Sequence, residues 1–438
     1  MSKGQPGQPN ARSSIIQTLL IAAVIFLGLQ LFFPQRNAEE AKKPEDLAAS
    51  WQAAKKEKNV VEIISIGPNY EKSLLQGEDG AAPEKILESW RVRLDVALAR
   101  LEQGKAKGDY NGAVMAHSDL RRLEVDILQD KQVSGPEKQA LLQEVRQAIQ
   151  TVAQEGDQLA KTRSNSFVKL GYVLVDRLTQ LFGGEKAPGF SYWFSAVVLA
   201  LLVRLLIWPL YKKQYVAFKR MALLQPMIKD LQSEYEGAEL QQRIMKLYAK
   251  YGINPLSGCW PMLIQIPFFL WVFWSMRAYQ FQYMKGTFLW INPELSAQYP
   301  SIIAPNLGER DVPLIILYAL SMVLSTQFTI SSPENARQQK IIGFVMAALF
   351  PVMFIFWPLP SAFVIYWIAL NVFSTLQTIA MNKTPIPPLE EVPEHLQKPG
   401  LFVPKDGPTG SNGKEVKKTG APVLHKKQSG KQKRRKRK

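Results

Sequence analysis

Apolar and polar positions along this chain separate into long uninterrupted runs divided by charged stretches. With a window of about 19 residues, apolar runs fall at Ile15–Phe33, Phe190–Leu210, Ser257–Met276, Val312–Thr329, Ile341–Trp357 and Ser361–Ile379. Each is close to the roughly 20 residues that an α-helix needs to cross the hydrocarbon core of a bilayer. Backbone groups in hydrocarbon must be satisfied inside the segment, so these runs predict helices. The fold class expected is an all-α polytopic membrane protein with six transmembrane helices. The first run follows Lys3 and Arg12, as a signal peptide would. Its apolar stretch is long for one, and "PQRNAEEA" after it shows no small-x-small cleavage pattern, so it reads as a retained anchor.

Between the first two runs the pattern changes to a helical period. In "PEKILESWRVRLDVALARLEQ" the apolar positions Ile86, Leu87, Trp90, Leu94, Leu98 and Leu101 share one face, with Pro83 near the start and Gly104 after the end. "GKAKGDYNGAV" reads as a turn, and "AVMAHSDLRRLEVDILQD" and "GPEKQALLQEVRQAIQTVAQEGDQLA" as further amphipathic helices. A helical bundle follows, with a tetratricopeptide-like hairpin at "GDYNGAV" as the other reading. Residues 165–184 place Phe167, Leu170, Leu174, Leu178 and Leu181 on one face, with Lys169, Asp176 and Arg177 elsewhere. That pattern fits a helix lying along the membrane interface, or one more helix of the bundle. The charged stretch 211–253 predicts a hairpin of two helices, about Gln214–Tyr235 and Glu239–Tyr251, broken near Gly237.

Charge orients these elements. The net charge is +17 over 438 residues, and the mean hydropathy of −0.09 conceals the segregation. With six spans, both termini, the 211–256 loop and the 331–340 loop share one side, and together they carry the whole excess of +17. The positive-inside rule makes that side cytoplasmic. Lys212, Lys213, Lys219 and Arg220 then lie near headgroups, where anionic lipid attracts them. The single cysteine, Cys259, excludes an intramolecular disulfide, and three separated histidines give no metal-ligand spacing. No cofactor is expected: the sequence has no GxxxxGK[ST] loop for nucleotide. No span contains His, Asp or Glu, which argues against an intramembrane enzyme.

Several motifs occur in a specific order: "LLQPMIKDLQSEY", "IMKLYAKYGINPLSGCWPMLIQIPFF", "GTFLWINPELS" and "SAFVIYWIALNVFSTLQT". They resemble the signatures of the YidC/Oxa/Alb membrane protein insertase family, in its bacterial form, through Gln225, Pro226, Asn254, Pro255, Gly258, Gln265, Pro267, Tyr366 and Asn371. The resemblance covers about residues 167–383 and leaves the helical external domain outside it. Family members of Gram-negative type carry a larger, β-rich domain there. The resemblance implies an anchor plus a five-helix insertase core, organised as residues 1–33 (cytoplasmic N-terminus and anchor), 34–164 (external helical domain), 165–381 (core) and 382–438 (basic cytoplasmic tail, read as disordered).

One residue stands out against the apolar background. Arg204 lies inside "SYWFSAVVLALLVRLLIWPLYKKQ", where a charge costs about 2.5–3.5 kcal/mol by insertion scales. Eight residues separate it from Lys212, about 12 Å of helix. Snorkelling toward headgroups beside Trp208 and Tyr211 is the plain reading. The family resemblance implies another: a water-filled, positively charged groove, open to the cytoplasm and lipid, with Arg204, Gln327 and Trp367 facing it. Function is then insertion and chaperoning of membrane proteins, without catalysis. The implied partners are nascent membrane protein substrates, membrane lipids and, alone or beside it, the Sec translocon. The tail ends in Lys431, Lys433, Arg434, Arg435, Lys436, Arg437 and Lys438, a pattern that contacts ribosomal RNA phosphates or anionic lipid. The competing class is a secondary transporter binding an anionic solute at Arg204, although no internal repeat supports it. Localisation is expected at the bacterial inner membrane, with the thylakoid membrane as the alternative.

Overall fold

The computed structural model describes residues 44–76, 82–253, 260–328, 336–356, 359–383, 385 and 388–393. The expected first span, Ile15–Phe33, lies outside the described residues, as do Asn254, Pro255, Gly258 and the seven basic residues of 431–438. Among the described residues the protein is helical, with only an isolated bridge between Phe288 and Ile291.

Two helices that the sequence reading passed over open the described chain: α1 (Pro44–Glu57) and α2 (Val60–Leu74). Asn59 caps α2 by accepting from the Glu62 amide at 3.3 Å. Trp51 and Tyr70 stack at 5.8 Å and, with Ile66, Val92 and Val96, form a small core of their own. The helix α3 (Pro83–Lys107) runs past the end expected at Gly104 and stops at Gly108, whose φ of 66° suits glycine. Gly104 is instead a crossing point with α4 (Tyr110–Gln129). A Cβ at Gly104 would meet the Asp109 carbonyl at 2.7 Å and the Gly112 Cα at 3.1 Å. The missing side chain allows close approach of two backbones, and its helix-breaking tendency is outweighed by that packing. The next helix, α5 (Pro136–Arg163), packs along α4.

The chain then enters α6 (Ser166–Leu181), capped by Asn165, which accepts from the Val168 amide at 2.8 Å. After a short turn, α7 (Ser191–Leu223) continues well beyond the expected end at Leu210. The lysines at 212 and 213 change the environment along the helix but do not end it. Pro209 removes one hydrogen bond, and the helix continues through it. The break comes at Leu224, before α8 (Gln225–Glu234) and α9 (Gly237–Lys250). The first hairpin arm expected from Gln214 is thus partly a continuation of the membrane helix. Pro226 sits in the first turn of α8, where its missing N–H has no helical partner to lose.

The remaining helices are α10 (Trp260–Ala278), α11 (Gln280–Tyr283), α12 (Pro293–Gln298), α13 (Val312–Phe328), α14 (Ala336–Phe356) and α15 (Ser361–Asn382). Two of the described helices, α7 and α15, are long and apolar enough to cross a membrane, and shorter apolar stretches occur at Ile266–Ala278, Val312–Phe328 and Gly343–Ile355. The helix α15 lies between α7 and α13, while α10 packs mainly on α6.

A single apolar core runs from Trp90 in α3 through Phe281 and Leu307 in the α10–α13 connection to Ala369 in α15. The helical domain is therefore packed on one end of the apolar bundle. Tyr110 donates to the Trp274 carbonyl at 3.3 Å, and Arg121 bonds Glu309 at 2.8 Å across that junction. At the opposite end, the segment 388–393 docks on the hairpin. The Val392 amide donates to the Lys250 carbonyl at 2.8 Å, Lys250 pairs with Glu391 at 2.8 Å, and Leu389 packs against the core of Leu224, Ile228 and Ile253. These contacts correct the reading of the whole chain after Asn382 as disordered: Leu389 and Val392 supply apolar side chains amid a polar composition.

Candidate functional site

The site is built by α7, α10 and α15. Arg204 sits on the face of α7 turned to α15 and is 8% exposed. Its Nη2 donates to Ser374 Oγ at 2.9 Å, and its Cζ lies 4.5 Å from the Tyr211 ring centroid. Tyr211 is seven residues on, two helical turns, which places it on the same face. The Arg204 Nε is buried and has no protein partner. No carboxylate pairs with the guanidinium among the described residues. A cavity of about 230 Å³ opens beside it, bounded by Ile207, Phe269, Tyr366, Trp367 and Leu370.

Trp367 forms the wall opposite. Its ring lies 5.7 Å from Phe269 in α10, 6.1 Å from Tyr318 in α13 and 6.1 Å from Phe363 in its own helix. Its Nε1 is buried without a protein partner. Tyr366 is buried and stacked on Phe363 at 6.0 Å. The cavity is therefore mainly apolar and aromatic, with two unsatisfied donors, Arg204 Nε and Trp367 Nε1. Such a site draws an acceptor or water.

Below the cavity the contact between helices turns polar. Tyr211 and Thr378 hydroxyls lie 2.6 Å apart, Tyr215 donates to Asn382 Oδ1 at 2.6 Å, and Lys219 reaches the Asn382 carbonyl at 3.4 Å. On the other flank of α15, Asn371 donates to Ser321 at 3.0 Å and Thr375 to Ser325 at 3.1 Å. The sequence reading found Asn371 but missed Ser374, Thr375 and Thr378. Their signal was the spacing of small polar residues at three and four positions along α15, which marks a helix face. Among the described residues no cluster of three or more His, Cys, Asp or Glu comes together to hold a metal ion.

Of the three expected groove residues, Arg204 and Trp367 line one cavity. Gln327 is exposed near the end of α13, and its Nε2 lies 3.4 Å from Thr326 Oγ1. Pro267 is an exposed interior proline of α10, and Gln225 and Pro226 open α8. Gln265 lies in α10, but its side chain is outside the described ones. The helix α6 packs Val168, Tyr172 and Val175 inward and leaves Phe167, Leu170 and Leu181 exposed at 53%, 65% and 74%. Leu174 and Leu178, on the same expected face, are half-buried against the core.

Among the described residues these features define a helical protein, two of whose helices are long and apolar enough to cross a membrane, with a buried cation beside a mainly apolar cavity. Residues 184–387 match the family model described as 60Kd inner membrane protein. The chain is 32% identical over 206 residues to "Membrane protein insertase YidC" of Oceanobacillus iheyensis, covering 44% of this chain and 75% of that protein. It is 36% identical over 212 residues to "Membrane protein insertase YidC 2" of Listeria innocua, covering 47% of this chain and 66% of that one. It is 33% identical over 224 residues to "Membrane protein insertase YidC" of Wolinella succinogenes, covering 50% of this chain and 37% of that one. The chain belongs to the YidC family of membrane protein insertases. It spans less than two thirds of the Wolinella and Listeria relatives. A solved structure, "Active YidC insertase crystal structure with the first transmembrane domain resolved", aligns with 57% of this chain and 54% of that one at 23% identity and a TM-score of 0.38. The α1–α5 domain lies outside the residues matched by the family model.

Proposed function

We propose that this chain inserts integral membrane proteins and helps them fold, through a hydrated groove reached from the cytoplasm and from lipid. It sits in the bacterial inner membrane with six spans and both termini cytoplasmic. The observation that carries the reading is Arg204: a buried guanidinium with one side-chain hydrogen bond, no acidic partner among the described residues, and a cavity alongside. A charge held so deep without a counter-ion is kept for something that arrives. Arginine also keeps its proton in sites where lysine loses its own more readily.

The physical task is to move a polar segment past hydrocarbon, where each unpaired backbone group costs several kcal/mol. A groove reaching partway across shortens that path. An acidic residue of the translocated segment pairs transiently with Arg204. The apolar span of the substrate then leaves sideways along the Trp367 wall into lipid, where burial stabilises it by roughly 25 cal/mol per Å². Gln327 meets the segment at the groove mouth. The hairpin α8–α9 receives it, supported by the turn at Gln225 and Pro226, with Asn254, Pro255 and Gly258 following it in sequence. The basic residues of 431–438 hold the ribosome by phosphate contacts, and the Sec translocon accepts substrates that need it.

Site-specific photocrosslinking tests this. A crosslinker at Ile266 or Leu370, both lining the cavity, should capture a ribosome-bound nascent membrane protein stalled with its first span just outside the exit tunnel. It should release that protein once the span is complete. Absence of any nascent-chain adduct at both positions, with adducts at a lipid-facing control such as Leu320, sinks the proposal.

A further inference from the structure

A second cleft, of about 270 Å³, lies at the other end of the bundle, between α4 and the loop that leads into α13. Arg121, Arg122 and Arg310 reach it, with Ser118, Ser301 and Gln280. Its charges are unequally satisfied. Arg121 is held between Glu309 and Glu124, and Asp126 at the rim is taken by Arg93 at 2.6 Å. Arg122 and Arg310 have no carboxylate partner among the described residues. The hydrogen bond of Arg310 goes to a backbone carbonyl, that of Ile355. Burial and the like charge of Arg122 both push the Arg310 guanidinium below its ordinary range. Gln280 is only 3% exposed, and its Oε1 is buried without a partner. An amide can present either end by a half-turn, so this group can accept or donate.

Two guanidinium groups, an unsatisfied amide and two hydroxyls converge there. Like charges held together in a cleft repel, and an anion between them relieves that repulsion. Planar guanidinium groups suit phosphate oxygens, which accept paired N–H bonds. The level in the fold says where the phosphate comes from. Arg310 precedes the start of α13 by two residues, bonds the last turn of α14, and shares the cleft with Leu359, just before α15. Three apolar helices end at this height. Tyr299 and Ile302, 53% and 48% exposed, stand on either side in sequence of Pro300 and Ser301, which line the cleft, and offer apolar surface on the same loop. We propose that this cleft binds the phosphate group of a phospholipid headgroup at the outer ends of α13, α14 and α15, pinning the helical domain to the membrane surface. The inference needs only the membrane location and stands apart from the insertion reading.

The test uses the full-length protein in nanodiscs of phosphatidylcholine with one quarter phosphatidylglycerol, released into the gas phase for native mass spectrometry. Wild type should retain a phosphatidylglycerol molecule. Arg122→Gln/Arg310→Gln should reduce that retention about tenfold, in line with loss of charge-assisted hydrogen bonds. Gln280→Leu should reduce it less. Thermal unfolding in detergent checks that the double variant is folded. Equal lipid retention by wild type and a folded double variant overturns the site. Binding of inorganic phosphate to wild type with no lipid retained overturns the headgroup assignment. Should the double variant fail to fold, Gln280→Leu decides: unchanged retention counts against the site, reduced retention for it.

Discussion

Replacing Arg204 with methionine separates the chemistry of the cavity beside it from the stability of the fold. In the folded protein the guanidinium donates one charge-assisted hydrogen bond to Ser374 Oγ at 2.9 Å, about 1.5–3 kcal/mol. It also gains a cation–π contact with Tyr211 at 4.5 Å, about 0.5–2 kcal/mol. Against these stand the cost of a charge at membrane depth, about 2.5–3.5 kcal/mol on insertion scales, and a buried Nε without a partner, about 1–3 kcal/mol. The costs, about 3.5–6.5 kcal/mol, exceed the gains, about 2–5 kcal/mol, by about 1.5 kcal/mol at their midpoints. Methionine has similar length, fills the same space and removes both costs. After the change Ser374 can bond its own helix backbone, and Tyr211 keeps Thr378.

The expected change in stability for Arg204→Met is therefore from zero to about 1.5 kcal/mol of stabilisation, as found when buried charges yield to apolar groups. Insertion should behave differently. Loss of one charge contact worth about 1.4 kcal/mol is tenfold in rate, so a substrate with an acidic translocated segment should insert about tenfold more slowly. Arg204→Lys keeps the charge and should fall in between. Heat-induced unfolding in detergent, followed by tryptophan fluorescence, gives the first quantity, and protease protection in proteoliposomes gives the second. If Arg204→Met costs more than about 2 kcal/mol and Arg204→Lys costs as much, the arginine is a structural strut. If Arg204→Met inserts acidic substrates at the wild-type rate, the charge has no part in insertion.

Three other predictions rest on separate parts of the molecule. Gly112→Ala should destabilise the full chain by about 1–3 kcal/mol, because its Cβ would meet the Arg100 carbonyl at 2.7 Å and the Gly104 Cα at 2.8 Å; an unchanged unfolding temperature refutes the close crossing. His117, 2% exposed, has its pKa lowered from 6.5 to about 4, chiefly by burial. The unfolded chain therefore binds more protons between those values, and stability should fall as pH drops from about 6.5 to 4, by up to about 3 kcal/mol. His117→Asn should flatten that slope in unfolding measured across the range, and an unaltered slope places the proton uptake elsewhere. Truncation after Pro393 removes the basic terminus but keeps the docked segment. It should weaken ribosome cosedimentation with a shallower salt dependence, whereas equal binding and slope leave the terminus as a lipid or topology signal.

How much of this could be read from the sequence depends on the range of the interactions involved. Apolar runs are local and dense, so α10, α13, α14 and α15 begin and end within a few residues of the predicted bounds. The cost of Arg204 in hydrocarbon is also local, and it marked the site. Errors arose where tertiary contact overrides a local signal. Gly104 looked like a helix end because glycine usually is one, yet its meaning here is the backbone of Gly112 across the crossing. The lysines after Leu210 looked like a boundary, but charge reports the surrounding medium and not hydrogen bonding, so α7 passes through it. Ser374 joined the site only when α7 and α15 met, 170 residues apart for the Arg204–Ser374 pair, whereas Tyr211 was legible as a neighbour of Arg204 on α7. The α1–α2 pair was missed because Pro68 interrupts its pattern, and the Trp51–Tyr70 stack holding it is a contact between helices.

The two ends of the bundle differ in how firmly they are held, and the difference bears on mechanism. At the end carrying the helical domain, one apolar core runs without interruption from Trp90 to Ala369, reinforced by the Arg121–Glu309 pair and by Tyr172 and Gln282 on Asp157. Separating those parts exposes that whole core. At the hairpin end the buried core is Leu224, Ile228 and Ile253, and α9 buries none of its residues fully. A segment with so little burial opens at far lower cost than the global unfolding of the protein. The break at Leu224, with Pro226 just after it, lies where α7 leaves the bundle and enters that lightly held hairpin. The contacts of Leu389, Glu391 and Val392 there include the Val392–Lys250 backbone bond and the exposed Lys250–Glu391 pair, and exposed ion pairs contribute little. Under the proposed function, a chain that passes a polar segment needs one end that stays shut and one that yields. The yielding end adjoins the polar side of α15, where Ser374, Thr378 and Asn382 lead up to Arg204.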